Sequence, residues 1–241
     1  MRNKFIGGLI MKRILAFLMI AFMLLSLASC SGGKSAKAIT VSDGMIWEYE
    51  CVEHSKITTL SAKCSFLDDD TSCVITGEQV MFLEKDGDSY VITKVILKET
   101  VSGKNADEYK NSLDPEDEED ADELKMLSDG GLVLEGKALK EYGLDSDARV
   151  SLKCDFAKDR LLSFEMRRGN YIDREEFIFD KSGKQTGVET HSTYDGDEYE
   201  YTITFTEFHS NGVLKTAKLD YGDGDTGTYK FNDKGLMEDY E

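Results

Sequence analysis

The sequence predicts a mainly β fold: a twisted antiparallel β-meander with one acidic helix inserted near its middle. Three observations carry this expectation. Apolar and polar residues alternate with a period of two through most of the chain beyond residue 44. Glycine-bearing turns such as Asp86-Gly87-Asp88 punctuate the alternation at hairpin spacing, where the backbone needs a positive φ. Between Asn105 and Asp129 the alternation gives way to a stretch dense in Glu, Asp and Lys.

The first element precedes the sheet. Arg2, Lys4, Lys12 and Arg13 are the only charges before Cys30, and Ile14 to Leu25 is apolar without interruption. Ser26, Ala28 and Ser29 follow, which completes the basic, apolar, small-residue order of a secretory signal. A membrane-spanning helix needs roughly 20 apolar residues, so this shorter run suits a signal core. Met11 is an alternative start that gives the signal a more usual length. Leu27-Ala28-Ser29-Cys30 resembles the lipobox of bacterial lipoproteins. The resemblance implies cleavage just before Cys30 and acylation of its thiol, including a palmitate-like chain. It further implies an extracytoplasmic protein anchored to the cell membrane, or to the outer membrane in a two-membrane bacterium, since Ser31 and not Asp follows the cysteine. Residues 1–29 are thus expected to be signal, 30–43 the lipidated cysteine with a flexible tether (Ser31-Gly32-Gly33-Lys34-Ser35), and 44–241 a single mostly-β domain.

Met45 to Glu53, Thr58 to Phe66, Val74 to Glu84 and Tyr90 to Val101 read as four strands. The acidic stretch then offers a helix start at Asp114-Pro115-Glu116, with an N-cap carboxylate and proline in the first turn. Ser128-Asp129-Gly130-Gly131 ends it. A strand over Leu132 to Glu135 and a short helical turn over Ala138 to Tyr142, closed by Gly143, come next. Alternation resumes to the end. Val150, Leu152, Cys154 and Phe156 face one way, as do Leu162, Phe164 and Met166, and Tyr199, Tyr201, Ile203 and Phe205. One wet and one dry face point to an antiparallel sheet. Three units recur: Phe179-Asp180-Lys181-Ser182-Gly183-Lys184, Phe208-His209-Ser210-Asn211-Gly212-Val213 and Phe231-Asn232-Asp233-Lys234-Gly235-Leu236. They resemble the hairpin units of YD-repeat and MORN-like bacterial surface proteins, which implies stacked hairpins and no particular activity.

The chain has 29 basic and 47 acidic residues; without the four basic residues of the signal, 25 basic residues face the same 47 acids. Such a body is repelled by nucleic acid and by anionic headgroups, so lipid on Cys30 is the expected membrane attachment. Cys51, Cys64, Cys73 and Cys154 permit two disulfides in an exported chain. Cys64 and Cys73 flank a turn at Asp68-Asp69-Asp70 and are the candidate pair; Cys51 and Cys154 sit at core-facing positions and read equally well as buried thiols.

No motif points to a catalytic residue, metal or cofactor. His54, His191 and His209 lie far apart, without H-E-x-x-H or G-x-S-x-G. Asp220, Asp223 and Asp225 surround glycines but lack the closing Glu of a calcium loop, and read as a turn. Carboxylates are abundant and the sequence singles out no pair. The expected function is therefore a non-catalytic envelope lipoprotein that binds a ligand or partner or has a structural part. A carrier of lipid or other hydrophobic ligand in a curled sheet, and an envelope-polymer hydrolase, are the alternatives.

Overall fold

The structure, a computed structural model, describes residues 33–68, 72–106, 125–126, 131–144, 147–222 and 224–241. It is mainly β. Strands β1 (Lys34–Ser42), β2 (Met45–Glu53), β3 (Thr58–Leu67), β4 (Val74–Asp86) and β5 (Ser89–Ser102) follow one another as antiparallel hairpins. The short strands β6 (Lys125–Met126) and β7 (Leu132–Glu135), and a one-turn helix α1 (Lys137–Glu141), lead to β8 (Arg149–Asp155) and β9 (Arg160–Arg168). Tyr90 of β5 pairs with Val150 of β8, β8 pairs with β9, and Lys37 of β1 pairs in parallel with Arg160 of β9. These links close seven strands, β1 to β5 with β8 and β9, into a ring.

The other edge of β9 carries a second sheet, a meander of β10 (Tyr171–Phe179), β11 (Gln185–Tyr194), β12 (Asp197–Phe208), β13 (Leu214–Asp220), β14 (Thr226–Phe231) and β15 (Met237–Tyr240). Strands β1 and β10 therefore compete for one edge of β9: β10 takes Ser163 to Arg168, and β1 only Arg160. Where β1 leaves β9 its backbone needs another partner. The Gln185 side-chain amide supplies one, accepting from Ile39 N at 2.8 Å and donating to Ile39 O at 2.6 Å. It stands in for a peptide group of a neighbouring strand.

Four expectations are corrected. Residues 34–42, expected in the tether, are β1, whose inward residues Ala36, Ala38 and Thr40 are too small or polar to stand out as a strand. The signal that marks β1 is Asp43-Gly44, a two-residue turn with φ of 50° and 74° at its centre, between Ser42 and its partner Met45. Leu161, and not Leu162, is buried, because a bulge opposite Lys153 and Cys154 shifts the facing of β9 by one residue. Tyr199 shares the core-facing parity of β12 but lies beyond the core and is exposed. The acidic helix lies outside the described residues except for Lys125 and Met126, which pair with β7 as a strand.

The ring is filled. Leu60, Met81, Leu83, Ile92, Val95, Val150, Leu161 and Met166 are all buried in it. Each such side chain contributes roughly 1.5–3 kcal/mol relative to exposure. The core continues without a break into the second sheet through Phe177, Val188, Ile203, Leu219 and Phe231. Tyr49 joins the two, its ring 6.0 Å from Phe164 and 5.8 Å from Phe177. The β1–β2 hairpin reaches across this face as far as β15, where Gly44 lies against Met237.

The three recurring units adopt one turn. Asp180, His209 and Asn232 each donate their N–H to the carbonyl four residues on, and accept from the glycine N–H three residues on. Those glycines have φ of 95°, 88° and 79°, a region that a side chain resists. The turns lie side by side: Asn211 Nδ2 donates to Asp233 O at 2.8 Å, His209 Nε2 meets Phe231 O at 2.8 Å, and Lys184 stacks 3.7 Å over Phe208.

Candidate functional site

At the opposite end of the tail sheet the inner face changes character. Near the recurring turns its cross-strand row is apolar: Phe177, Val188, Ile203 and Leu219. One row on, it is Glu175, Thr190 and Tyr201, and the next is Asp173, Ser192 and Tyr199. Strand pleating alone explains this placement. Residues two apart on β10 share a face, so Asp173 and Glu175 must follow Phe177 and Phe179 inward.

Glu175 is 7 % exposed, Thr190 5 % and Thr40 of β1 1 %. Burial pushes the Glu175 carboxyl up to about 8, the neighbouring Asp173 adds to the rise, and the Thr40 and Tyr49 hydroxyls oppose it. The Thr40 and Tyr49 hydroxyls hydrogen-bond Glu175 and the Thr190 hydroxyl hydrogen-bonds Tyr201, each with irregular geometry. Asp173 is also raised by burial, against a hydrogen bond from Ser192 Oγ at 2.9 Å. Burial raises Tyr49 and Tyr201 strongly and takes Tyr171 to about 12. Among the described residues no basic side chain forms an ion pair with Asp173 or Glu175.

Beside these acids lies an open cleft of about 960 Å³, walled by Ser192, Tyr199, Tyr201, Tyr221 and Tyr240 among others. The rings of Tyr201 and Tyr221 are 6.0 Å apart, and Tyr240 stacks 4.7 Å from Tyr229. Tyr199, Tyr221 and Tyr240 are exposed. Gly227 makes room for the Tyr240 ring, since a Cβ there would collide with it. Asp43, at the tip of the β1–β2 hairpin, acts electrostatically on Tyr201 and Tyr221. The combination of buried carboxylates, hydroxyls and tyrosine faces suits recognition of a small molecule or side chain better than it suits packing.

The residues singled out in the sequence are not brought together. Cys30 lies outside the described residues. Cys64 and Cys73 form no disulfide: Cys64 faces Gly77 in the β3–β4 ladder and Cys73 faces Asp68, four positions further along, so the hairpin separates them by roughly 13 Å. The thiols that do meet are Cys51 and Cys154, inside the ring; their hydrogen bond and then burial raise Cys51, and the same bond lowers Cys154. His54 is an exposed loop residue, His191 pairs with Glu200 at 2.6 Å on the outer face, and His209 belongs to a turn. Asp220 accepts from Gly222 N at 2.9 Å within a turn, while Asp223 lies outside the described residues. Among the described residues no three of His, Cys, Asp and Glu gather as metal ligands. The signal that could have found Asp173 and Glu175 is the alternation Tyr171, Asp173, Glu175, Phe177, Phe179, in which two acids occupy core-facing positions.

No protein-family model matches the chain, and a search of curated proteins finds no match.

Proposed function

We propose that this protein is a lipid-anchored extracytoplasmic binding protein, non-catalytic, whose ligand enters the tyrosine-walled cleft of the tail sheet. The observation that carries the binding reading is Glu175. An acid only 7 % exposed, pushed up to about 8 by burial and met by the Thr40 and Tyr49 hydroxyls rather than by a basic side chain, costs stability, and its retention in a native fold calls for a reason. The anchor reading rests on Cys30 and its lipobox-like surroundings. Only three residues separate Cys30 from β1, which limits the tether to roughly 14 Å. The β1–β2 hairpin is about 30 Å long, with Lys34 at one end and Asp43, beside the cleft, at the other. Lipid on Cys30 would thus leave the cleft at the far end of the domain, turned away from the membrane.

A carrier of hydrophobic ligand finds no support in the ring, whose interior is occupied by side chains. A hydrolase draws on the same two carboxylates, yet these lie two residues apart on one strand and approach any bond from one side, whereas acid–base cleavage needs groups that flank it.

Two measurements test the proposal. Intact mass of membrane-extracted protein should show a chain beginning at an acylated Cys30; an unmodified cysteine or a chain of full length refutes the anchor. Glu175→Gln should raise the melting temperature at pH 7.5 by roughly 5 °C, as removal of a functional strain does. A fall of the melting temperature would make Glu175 structural and refute the cleft as its reason.

A further inference from the structure

We propose that Cys51 and Cys154 form a disulfide that fastens the β8–β9 hairpin to the β1–β2 hairpin across the interior of the ring. The pairing stands on geometry, and the extracytoplasmic reading adds only the oxidant. Register puts the two cysteines at one level of the ring. Cys51 lies opposite Ala36 on β1, beside the bridge between Lys37 and Arg160; Cys154 lies opposite Leu161 on β9, beside the same bridge. Ala36, the inward residue of the intervening strand β1 at that level, carries only a methyl group. Contact completes the placement. The Cys51 thiol hydrogen-bonds the Cys154 sulfur, and both thiols act electrostatically on Tyr90 of β5. Two sulfurs already in contact are the reduced form of a pair that oxidation can join.

The bond would fall where the ring is weakest. The β8–β9 hairpin enters it through one residue bridge on each side, Lys37 to Arg160 and Tyr90 to Val150. A link from β2 to β8 ties both seams at once. The other two thiols differ. Cys64 and Cys73 are buried and held apart by the hairpin, and burial pushes Cys64 up to about 12. They should stay reduced. A thiolate metal site is a poorer fit for Cys51 and Cys154, because among the described residues no third metal-binding side chain joins them.

Exposure and proton affinity set the order of events. Cys154 is half-buried, and its hydrogen bond from Cys51 lowers it against the opposing effect of burial; Cys51 is 1 % exposed and raised. Cys154 is therefore the thiolate that meets an oxidant from outside. The oxidant is a disulfide, either of small thiols or of an extracytoplasmic thiol oxidoreductase. The Cys154 thiolate attacks one sulfur of it, forming a mixed disulfide and expelling the other sulfur as a thiolate. Cys51 then loses its proton and attacks the Cys154 sulfur, expelling the second thiolate. The protein gives up two electrons and two protons, and the oxidant takes both electrons as it becomes two thiols.

The test treats the full chain in neutral detergent with oxidised glutathione, quenches with acid, alkylates the remaining thiols in denaturant and maps the peptides by mass spectrometry. The Cys51 and Cys154 peptides should appear joined, with Cys64 and Cys73 alkylated. Cys51→Ala should trap glutathione on Cys154, whereas Cys154→Ala should leave Cys51 open to alkylation. The bond closes a loop of about 100 residues, so the oxidised protein should melt about 10 °C above the reduced one, a gap that either variant abolishes. Recovery of Cys51 and Cys154 as thiols overturns the pairing, as does a link from either to Cys64 or Cys73. A joined pair that melts with the reduced protein overturns the fastening. These readouts on the unaltered chain decide even where a variant fails to fold. Protein isolated from cells with the pair reduced, yet joined by oxidised glutathione, refutes the extracytoplasmic reading and leaves the pairing standing.

Discussion

The ring and the tail sheet solve the same problem differently. The ring closes on itself, so its inward positions have no way to water and are filled with Leu60, Met81, Leu83, Leu161 and Met166. The tail sheet stays open at β15, whose four residues are all exposed, and its inner face runs from apolar to polar along the strands. Ring closure removes an edge and with it the freedom to vary inward residues. An open sheet needs cover only where the β1–β2 hairpin reaches: Thr40 and Tyr49 lie over Glu175, and beyond that cover Tyr199 and Tyr221 stand exposed. Stability is concentrated in one region and chemistry in the other, with Tyr49 and Gln185 at the join.

The comparison is tested most severely at Phe164, 1 % exposed and in contact with Tyr49 at the junction. Phe164→Ala should cost about 3–5 kcal/mol. In urea denaturation the ring and tail sheet should still unfold in one transition, because they share a core; two separated transitions would show that they are independent units.

The next effect is a pH slope confined to the tail sheet. The folded pKa of Glu175 is about 8, above its ordinary value of 4.5. Between those values the folded protein keeps a proton that the unfolded chain has released, so stability falls as pH rises. The slope reaches at most about 1.4 kcal/mol per pH unit, is absent below pH 4.5 and levels off above pH 8. Glu175→Gln should flatten it, and a slope that survives the substitution would place its origin elsewhere.

Smaller effects follow at the join and in the turns. Gln185→Ala removes both bonds to Ile39 and should cost about 1–3 kcal/mol, with faster amide exchange at Ile39 than at Trp47 of β2. Unaltered exchange at Ile39 would mean that β1 does not depend on the glutamine. Gly212→Ala, at φ 88° with open space around it, should cost about 1 kcal/mol through backbone strain alone. A loss no greater than that of an exposed Ser210→Ala would remove the turns from the account of stability.

Much of the architecture was legible in local pattern. The strand β2 has the bounds that alternation predicts, because large apolar residues alternate there, and the strand Leu132–Glu135 has its expected bounds because a short apolar run is flanked by glycine turns. The three tail units announce one turn because the glycine requirement is local. Strand β1 was hidden because it contacts its neighbours through Ala36 and Ala38, where close approach and not side-chain size does the packing. The Cys64–Cys73 pairing failed because proximity across a hairpin depends on register, which the length of the turn between them sets.

The candidate site was less legible. Alternation by itself determined that Asp173 and Glu175 face the same way as Phe177, and the composition of the chain determined its acidity and the prominence of Cys30. Tertiary structure alone decided that this face is covered by Tyr49 and Thr40 where Glu175 lies, and uncovered where Tyr199 and Tyr221 lie. The physical reason is that pleating is a property of neighbours in sequence, whereas burial depends on which distant strand arrives above. Here that strand is β1, placed by one backbone bridge at Lys37 and the amide of Gln185, 146 residues away from Ile39 in the chain.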